Sequence, residues 1–389
     1  MMRFEFATAT RIIFGPRTAG EVAPLAAEMG KSAFVVTGRT PGRAAALLED
    51  IEKHRVKTTA FSVASEPTTA IVNAASEKAR AAGSDMVIAI GGGSVLDAGK
   101  AVAALLTNKG ELEDYLEVIG RGRPLTRTAS PCIAVPTTAG TGAEVTRNSV
   151  IASPEYHVKV SMRSASMLPR LAVVDPELTL TMSPVLTAAT GLDAVTQLIE
   201  AFVSRRATPL TDGICVEGIR AARCSLRPAF ENGSDSGARR RMSMASLFGG
   251  MALANAGLGA VHGFAGPIGG MTGAAHGAIC AAILPHVCCA NIKALRNSGV
   301  DSPAARKYLS LARLLTANPS ASAEDGVAYL GDLCRALGVK PLSKLGLKRE
   351  DFPSAVEKAK KASSMKGNPV ELTDTELLWI LEAAWAGKL

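Results

Sequence analysis

The stretch Met86–Lys100, MVIAIGGGSVLDAGK, decides how the rest of the chain is read. An apolar run from Met86 to Ile90 stops at three glycines, and from Ser94 onward the residues have helical spacing and are good helix formers. That order predicts a strand, a tight turn and a helix N-terminus. Residues without Cβ permit positive φ and the close approach of a bulky anion, and the free N–H groups and dipole of a starting helix favour negative charge. A phosphate group is the expected occupant. The stretch is not a dinucleotide fingerprint, which needs glycine where Leu96 stands, nor a Walker A loop, which needs glycine at Ser94 and Ser or Thr at Ala101. Asp97 and Lys100 share a helix face just past the glycines, with Ser94 at the turn, a grouping suited to hydroxyls and phosphates.

Working outward, residues 31–38 (KSAFVVTG) read as a strand and Thr40 to Lys53 as a helix. A strand over Lys57 to Val63, a helix from about Thr68 to Ala82 and the strand at 85–90 continue the alternation. Further strands are expected at Cys132 to Val135, His157 to Met162 and Leu171 to Val174. Such alternation means a parallel sheet with helices on both faces, which binds ligands beyond the carboxyl ends of its strands. After Asp175-Pro176 the pattern becomes helical, as in Pro184 to Val203 and Pro209 to Arg223. A chain of 389 residues exceeds one ordinary core. The expected fold class is therefore an α/β N-terminal nucleotide-binding domain over residues 1–180, built on a parallel sheet, followed by an all-α C-terminal domain over residues 181–389.

Composition narrows the partners. The net charge is 43 − 35 = +8, but the basic residues are scattered, and aromatics make up only 4%. Base stacking has little material, so no nucleic-acid partner is expected, and the densest basic run, Arg239-Arg240-Arg241, reads as a solvated surface patch. The seven cysteines are odd in number and show no C-x-x-C spacing, which suits a reduced, cytoplasmic protein. The N-terminus lacks the long apolar core of a signal peptide. From Met242 to Ile292 there is no Asp, Glu, Lys or Arg, yet Asn255, His262, Pro267 and His276 interrupt the run. Buried helices around a site explain it better than a membrane span.

Two further groups carry chemistry. Val135 to Glu144, VPTTAGTGAE, places small hydroxyl residues and glycines after a strand, where they can line a narrow ligand channel. In GLDAVTQLIEAF, Asp193 and Gln197 lie at i and i+4 on one helix face, and His262 and His276 fall fourteen residues apart in the charge-free segment. One carboxylate and two imidazoles form a ligand set for divalent iron and similar metals with open positions. His286, in LPHVCC, has no evident partner.

Together GGGSVLDAGK, PTTAGTGAEVT, GLDAVTQLIEAFVS and VHGFAGPIGG…AAHGAICAAILPHV resemble the iron-containing, or group III, alcohol dehydrogenases of the dehydroquinate synthase-like superfamily, from about Arg11 to Asn291. The resemblance implies hydride transfer between NAD or NADP and a small alcohol or aldehyde whose oxygen is held by a divalent metal, iron or zinc. It implies that Gly91, Gly92, Gly93, Ser94 and Asp97 contact the cofactor, that Thr137, Thr138 and Thr141 line its path, and that Lys159 lies nearby. Asp193, His262 and His276 match family metal ligands and carry the catalysis. A homodimer or larger homo-oligomer is implied as well.

The chain departs from the family pattern at two positions. Gln197 stands where a fourth ligand, histidine, is usual, and its Oε1 is expected to complete or orient the shell as a weaker ligand. Gly266 replaces a histidine that serves as a proton-relay candidate. After the first strand of the fold the chain has Gly38-Arg39 and no acidic residue, which favours NADP over NAD. Two alternatives stand beside the dehydrogenase. One is a metal-independent keto-acid reductase of the maleylacetate reductase type, with Arg147, Arg163 or Arg205 as carboxylate partner. The other is a dehydroquinate synthase-like lyase.

Overall fold

The strand order of one parallel sheet explains why the glycine turn lies where it does. The computed structural model describes residues 3–156, 158–299 and 302–387. The chain divides into two compact units, one spanning Ala7–Leu180 and the other running from Thr181 together with the described residues before Ala7.

In the first unit, β1 (Arg11–Phe14), β2 (Ser32–Thr37), β3 (Lys57–Ser62), β4 (Met86–Gly91), β5 (Cys132–Pro136) and β8 (Leu171–Val174) form a sheet in the order β1-β8-β5-β4-β2-β3. All its neighbouring pairs are parallel. β3 pairs on one side of β2 and β4 on the other, so the strand order reverses between β2 and β4. The carboxyl ends of those two strands flank the crevice in which such sheets bind ligands. Helices α1 (Val22–Met29) and α2 (Ala45–Lys53) cover one face, packing on Ala33, Val35, Ile88 and Val135. Helices α3 (Thr69–Ala81) and α4 (Gly93–Thr107) cover the other, packing on Phe34, Val36, Val87 and Ala89. Alternate residues of β2 and β4 thus enter opposite cores, which is why these strands read as continuous apolar runs.

Two strands were not foreseen. β1 is short, half-buried and at the sheet edge, and β6 (Asn148–Ser153) has the polar-alternating pattern of a strand buried on one side. β6 pairs antiparallel with β7 (Val158–Arg163), and Ile151, Val160 and Met162 pack against Ala101 and Leu105 of α4. His157, the expected first residue of the β7 strand, lies outside the described residues.

The second unit is helical: α5 (Pro184–Val203), α6 (Pro209–Glu231), α7 (Ser236–Ala256), α8 (Ala260–Thr272), α9 (His276–Asn297), α10 (Pro303–Thr316), α11 (Ala323–Ala336), α12 (Phe352–Lys361) and α13 (Asp374–Ala386). No strand occurs among its described residues. α5 and α6 start on Pro at the first helical position, with Ser183 and Thr208 as caps, so both starts are local in origin. By length and composition α9 could cross a membrane, but 72% of its most apolar window is buried within the protein, the mark of a core helix. The basic run is not a surface patch throughout. Arg239 is buried, donating to Thr187 Oγ1 at 2.8 Å and to the carbonyls of Met182 and Gly233 at 3.1 and 2.9 Å. Its planar fork ties α7 to α5, a task the sequence pattern did not reveal.

Candidate active site

The glycine turn joins β4 to α4 as the sequence predicts, but its glycines serve close approach, not unusual dihedrals. None of the three has positive φ, and Gly92 is extended at φ −75° and ψ −177°. A Cβ on Gly91 would stand 2.5 Å from Val95 Cγ2, and one on Gly93 would stand 2.7 Å from Thr141 Cγ2. The second contact brings the PTTAGTG segment, which leaves β5, against the start of α4. Gly38, just past β2, lies on the same side: a Cβ there would be 3.8 Å from Val95 Cγ2. No side chain caps α4, so its first N–H groups remain available to an anion. Thr137, Thr138, Thr141 and Ser94 are partly exposed around this terminus, and Arg39 is exposed.

Asp97 and Lys100 do not form the expected anion cradle. Lys100 is only 1% exposed and directs Nζ to Asp97 Oδ1 and Thr146 Oγ1, both at 2.9 Å. Asp97 Oδ2 accepts from the Val150 N–H at 3.1 Å, and its carbonyl accepts from Ser149 Oγ at 2.7 Å. The pair fastens the β6–β7 hairpin to α4. Lys159, on β7, is paired with Glu66 at 2.7 Å. Glu144, buried beside this network, has its carboxyl pushed up to about 7 by burial, against the smaller opposing effects of its own N–H and of Lys100.

In the helical unit Asp193, His262, His276 and Cys280 place one donor atom each within 4.8 Å of all the others. α5 contributes Asp193 and Gln197 one turn apart, α8 contributes His262, and α9 begins with His276. α9 can lie this close to α5 because residue 277 is glycine: a Cβ there would meet the Ala189 carbonyl oxygen at 2.3 Å. Asp193 Oδ1 faces His262 Nε2 at 3.4 Å and His276 Nε2 at 3.8 Å, yet it is buried without a well-directed hydrogen bond. Gln197 donates Nε2 to Asp193 Oδ2 at 3.0 Å, while its Oε1 is buried without a partner beside Gly249. The side chain of His276 is 37% exposed and that of His262 7%, so the cluster meets solvent on the His276 side.

Glu200, which the sequence reading passed over, fixes His262. Its carboxylate, 4% exposed, accepts from His262 Nδ1 at 2.6 Å and from the Val261 N–H at 2.7 Å. Nδ1 therefore carries hydrogen and Nε2 points to the cluster, the arrangement typical of a ligating imidazole held by a carboxylate. Glu200 and Cys280 both had a legible signal: Glu200 lies at i+7 from Asp193, and Cys280 at i+4 from His276.

The electrostatics fit a cation. Burial opposes ionisation of Asp193, but the nearby imidazoles of His262 and His276 hold its carboxyl below the ordinary range. Burial alone would also lower His262, yet Cys280, Asp193 and Glu200 raise it well above the ordinary imidazole value. His276 is raised chiefly by Cys280. The Cys280 thiol is lowered despite burial, by His276 and His262. Four donors compete for protons in a small space, and a divalent ion can take the protons' place. An orphaned buried carboxylate oxygen facing two imidazoles matches such an ion. His286, by contrast, is a core residue, edge-on to Trp379 with ring centroids 6.5 Å apart, and burial lowers it to about 4. Of the arginines considered for a substrate carboxylate, Arg163 faces Glu117 at 3.4 Å and Arg205 donates to the Pro369 carbonyl at 3.3 Å.

A parallel nucleotide-type sheet with an uncapped glycine turn, joined in one chain to a helical unit holding a divalent-metal donor set, defines a class of metal-dependent oxidoreductases. The chain belongs to the iron-containing alcohol dehydrogenase family. The family profile "Iron-containing alcohol dehydrogenase" matches residues 9–176, and "Fe-containing alcohol dehydrogenase family, C-terminal" matches residues 187–385. Alcohol dehydrogenase 4 of Saccharomyces cerevisiae is 36% identical over 320 residues, covering 82% of this chain and 81% of the yeast protein. The 1,3-propanediol dehydrogenase of Klebsiella pneumoniae is 36% identical over 307 residues, covering 77% of this chain and 76% of that one. A crystal structure of a 1,3-propanediol oxidoreductase superposes with a TM-score of 0.91 at 32% identity, over 98% of this chain and all of the other. The protein is thus an oxidoreductase acting on CH–OH groups, of a family that binds NAD(P) and iron or another metal.

Proposed function

We propose that this chain is an NAD(P)-dependent dehydrogenase of small alcohols, or reductase of the matching aldehydes. On this reading the α/β unit holds the cofactor and the helical unit holds the metal and substrate. The observation that carries it is the buried, unpartnered Asp193 Oδ1 facing His262 and His276. When bound, a divalent metal supplies Lewis acidity toward the substrate oxygen, and the nicotinamide supplies or accepts hydride.

The chain's own groups prepare that chemistry. Asp193, His262 and His276 hold the metal. Glu200 fixes the Nδ1–H of His262, and Gln197 holds Asp193 Oδ2 so that Oδ1 faces inward. The charge-free segment from Met242 to Ile292, which runs through most of α7, all of α8 and most of α9, keeps competing charges away. A Cβ at Gly266 would meet nothing within 4 Å. With no imidazole there, the chain offers no side-chain relay at that position for the alcohol proton, which would leave to solvent, and the open space admits a larger substrate.

At the turn, the uncapped N-terminus of α4 receives the pyrophosphate, with Gly91, Gly92, Gly93 and Ser94 beside it and Thr137, Thr138 and Thr141 along the cofactor path. NADP is preferred over NAD on the ground that Gly38 and the exposed Arg39 follow β2, with no carboxylate to repel a 2′-phosphate. The seven free cysteines support a reducing, cytoplasmic setting. The exposed Val185, Leu186 and Leu210 support assembly as a homodimer or larger homo-oligomer.

The test is His262→Ala. Oxidation of short-chain alcohols is expected to fall by at least about a thousandfold, an effect on the scale of removing a principal charge-stabilising group. Binding of NADPH, followed by fluorescence titration, is expected to stay near the unaltered protein's value. Retained turnover in the variant, or turnover by the unaltered protein after exhaustive chelation, would sink the metal-dependent reading.

A further inference from the structure

We infer that Cys280 is the fourth metal donor of this chain, in place of Gln197, and that its sulfur tilts the site toward zinc over ferrous iron. The inference rests on the reading of the Asp193 cluster as the metal centre and concerns how this chain completes it.

The geometry favours sulfur. Cys280 follows His276 by one turn of α9, is fully buried, and has Sγ 3.6 Å from His276 Nε2. Tetrahedral zinc with bonds of about 2.0–2.3 Å separates its ligand atoms by roughly 3.3–3.8 Å. The separations here are 3.4 Å from Asp193 Oδ1 to His262 Nε2, 3.8 Å from Asp193 Oδ1 to His276 Nε2, and 3.6 Å from His276 Nε2 to Cys280 Sγ. All four donors lie within 4.8 Å of one another. Three of the six separations among Asp193, His262, His276 and Cys280 fall in the tetrahedral range, and the rest are close enough for small side-chain shifts to reach it.

Gln197 is turned to another task. Its amide hydrogen is given to Asp193 Oδ2, and Oε1 faces Gly249, 3.0 Å from where a Cβ on that residue would stand. Exchanging the amide nitrogen and oxygen would set two oxygens against each other at that 3.0 Å contact, so an ionised Asp193 keeps Nε2 facing it. An amide nitrogen that donates to a carboxylate is no ligand. Gln197 is therefore a positioning residue that aims Asp193 Oδ1.

The consequence is chemical. One carboxylate and one thiolate neutralise a divalent ion, and thiolate, a soft donor, suits zinc better than a site of oxygen and imidazole donors does. Sulfur at this position thus sets metal choice.

The test is spectroscopic and uses the full chain stripped of metal and loaded with Co2+. Cobalt bound through thiolate shows a sulfur-to-metal charge-transfer absorption in the near ultraviolet, which nitrogen and oxygen ligands do not give. The unaltered protein and Gln197→Leu are expected to show the band, and Cys280→Ser to lack it. Zn2+ affinity is expected to fall at least about tenfold in Cys280→Ser, with a smaller fall for Fe2+ under anaerobic conditions. A second measurement needs no variant: X-ray absorption at the zinc edge of the Zn2+-loaded protein is expected to show one sulfur neighbour at about 2.3 Å. If Co2+ binds the unaltered protein without the band, or bound Zn2+ shows no sulfur neighbour, Cys280 is not a donor and the metal reading of the enzyme survives. If neither Co2+ nor Zn2+ binds the unaltered protein, both readings fall.

Discussion

Lys100 and Asp193 are both buried charges, one in each unit, and their surroundings differ in completeness. Lys100 spends its ammonium on Asp97 and Thr146, and Asp97 in turn is filled by Lys100 and Val150. Asp193 has one oxygen held by Gln197 and the other without a directed partner. A buried charge with all its partners is part of the scaffold, because nothing is gained by adding another group. A buried charge missing a partner costs stability unless a ligand completes it. Buried charge thus marks scaffold in the α/β unit and, on the proposed reading, a ligand site in the helical unit.

Breaking each cluster sharpens the contrast. Lys100→Met leaves Asp97 without its cation and should cost about 3 kcal/mol, at the low end for a broken buried pair because Asp97 retains some exposure. Asp193→Asn should remove turnover and cost the metal-free protein less than Lys100→Met does, since Oδ1 has no directed hydrogen bond to lose. Urea unfolding of metal-free samples compares the two, and equal losses would dissolve the distinction.

The units should also respond oppositely to pH. Glu144 has a folded value of about 7 against 4.5, so its native form binds more protons between those values. Its stabilising share is whole below about pH 4.5 and is lost as pH rises through 7, about 3 kcal/mol in all. His286 has a folded value of about 4 against 6.5, so its share is whole above 6.5 and is lost as pH falls toward 4, by a similar amount of about 3 kcal/mol. Glu144→Gln should therefore gain on the unaltered protein only at high pH, and His286→Gln only at low pH. Thermal unfolding at pH 5 and pH 8 checks both signs.

A more local effect concerns the turn. Gly93→Ala sets a methyl group 2.7 Å from Thr141 Cγ2 and should cost about 1–3 kcal/mol and weaken cofactor binding. Adding Thr141→Ala should restore most of the stability, measured by Tm. Failure of that rescue would mean that the tight contact does not carry the cost.

The α/β unit was largely legible because its site is local. Strand, glycines and helix follow one another in fifteen residues, and apolar runs mark strands buried on both faces. What escaped was β1, too short and exposed to stand out, and β6, whose serines and asparagine hide a one-sided strand. The helical site is assembled from three helices, so spacing along the chain carries little of it. Asp193, His262 and His276 were legible as a candidate ligand set and through family resemblance, and the structure brings them together. Cys280 was missed because buried cysteine ordinarily packs as a small apolar group, and Glu200 because a carboxylate beside a histidine in space is far from it in sequence. Lys100 erred the other way: its spacing from Asp97 is the same whether the pair binds phosphate or closes a core.

Glu200 does two jobs with one carboxylate. It accepts the Val261 N–H in the first turn of α8, a helix that no N-cap side chain closes, and it accepts His262 Nδ1. Fraying of that turn and loss of the imidazole's aim are consequently a single event. On the proposed reading, whatever binds at Nε2 would be felt by the backbone amide of Val261: the centre would act as a clasp on the end of its own helix, with metal loss and local opening sharing one equilibrium.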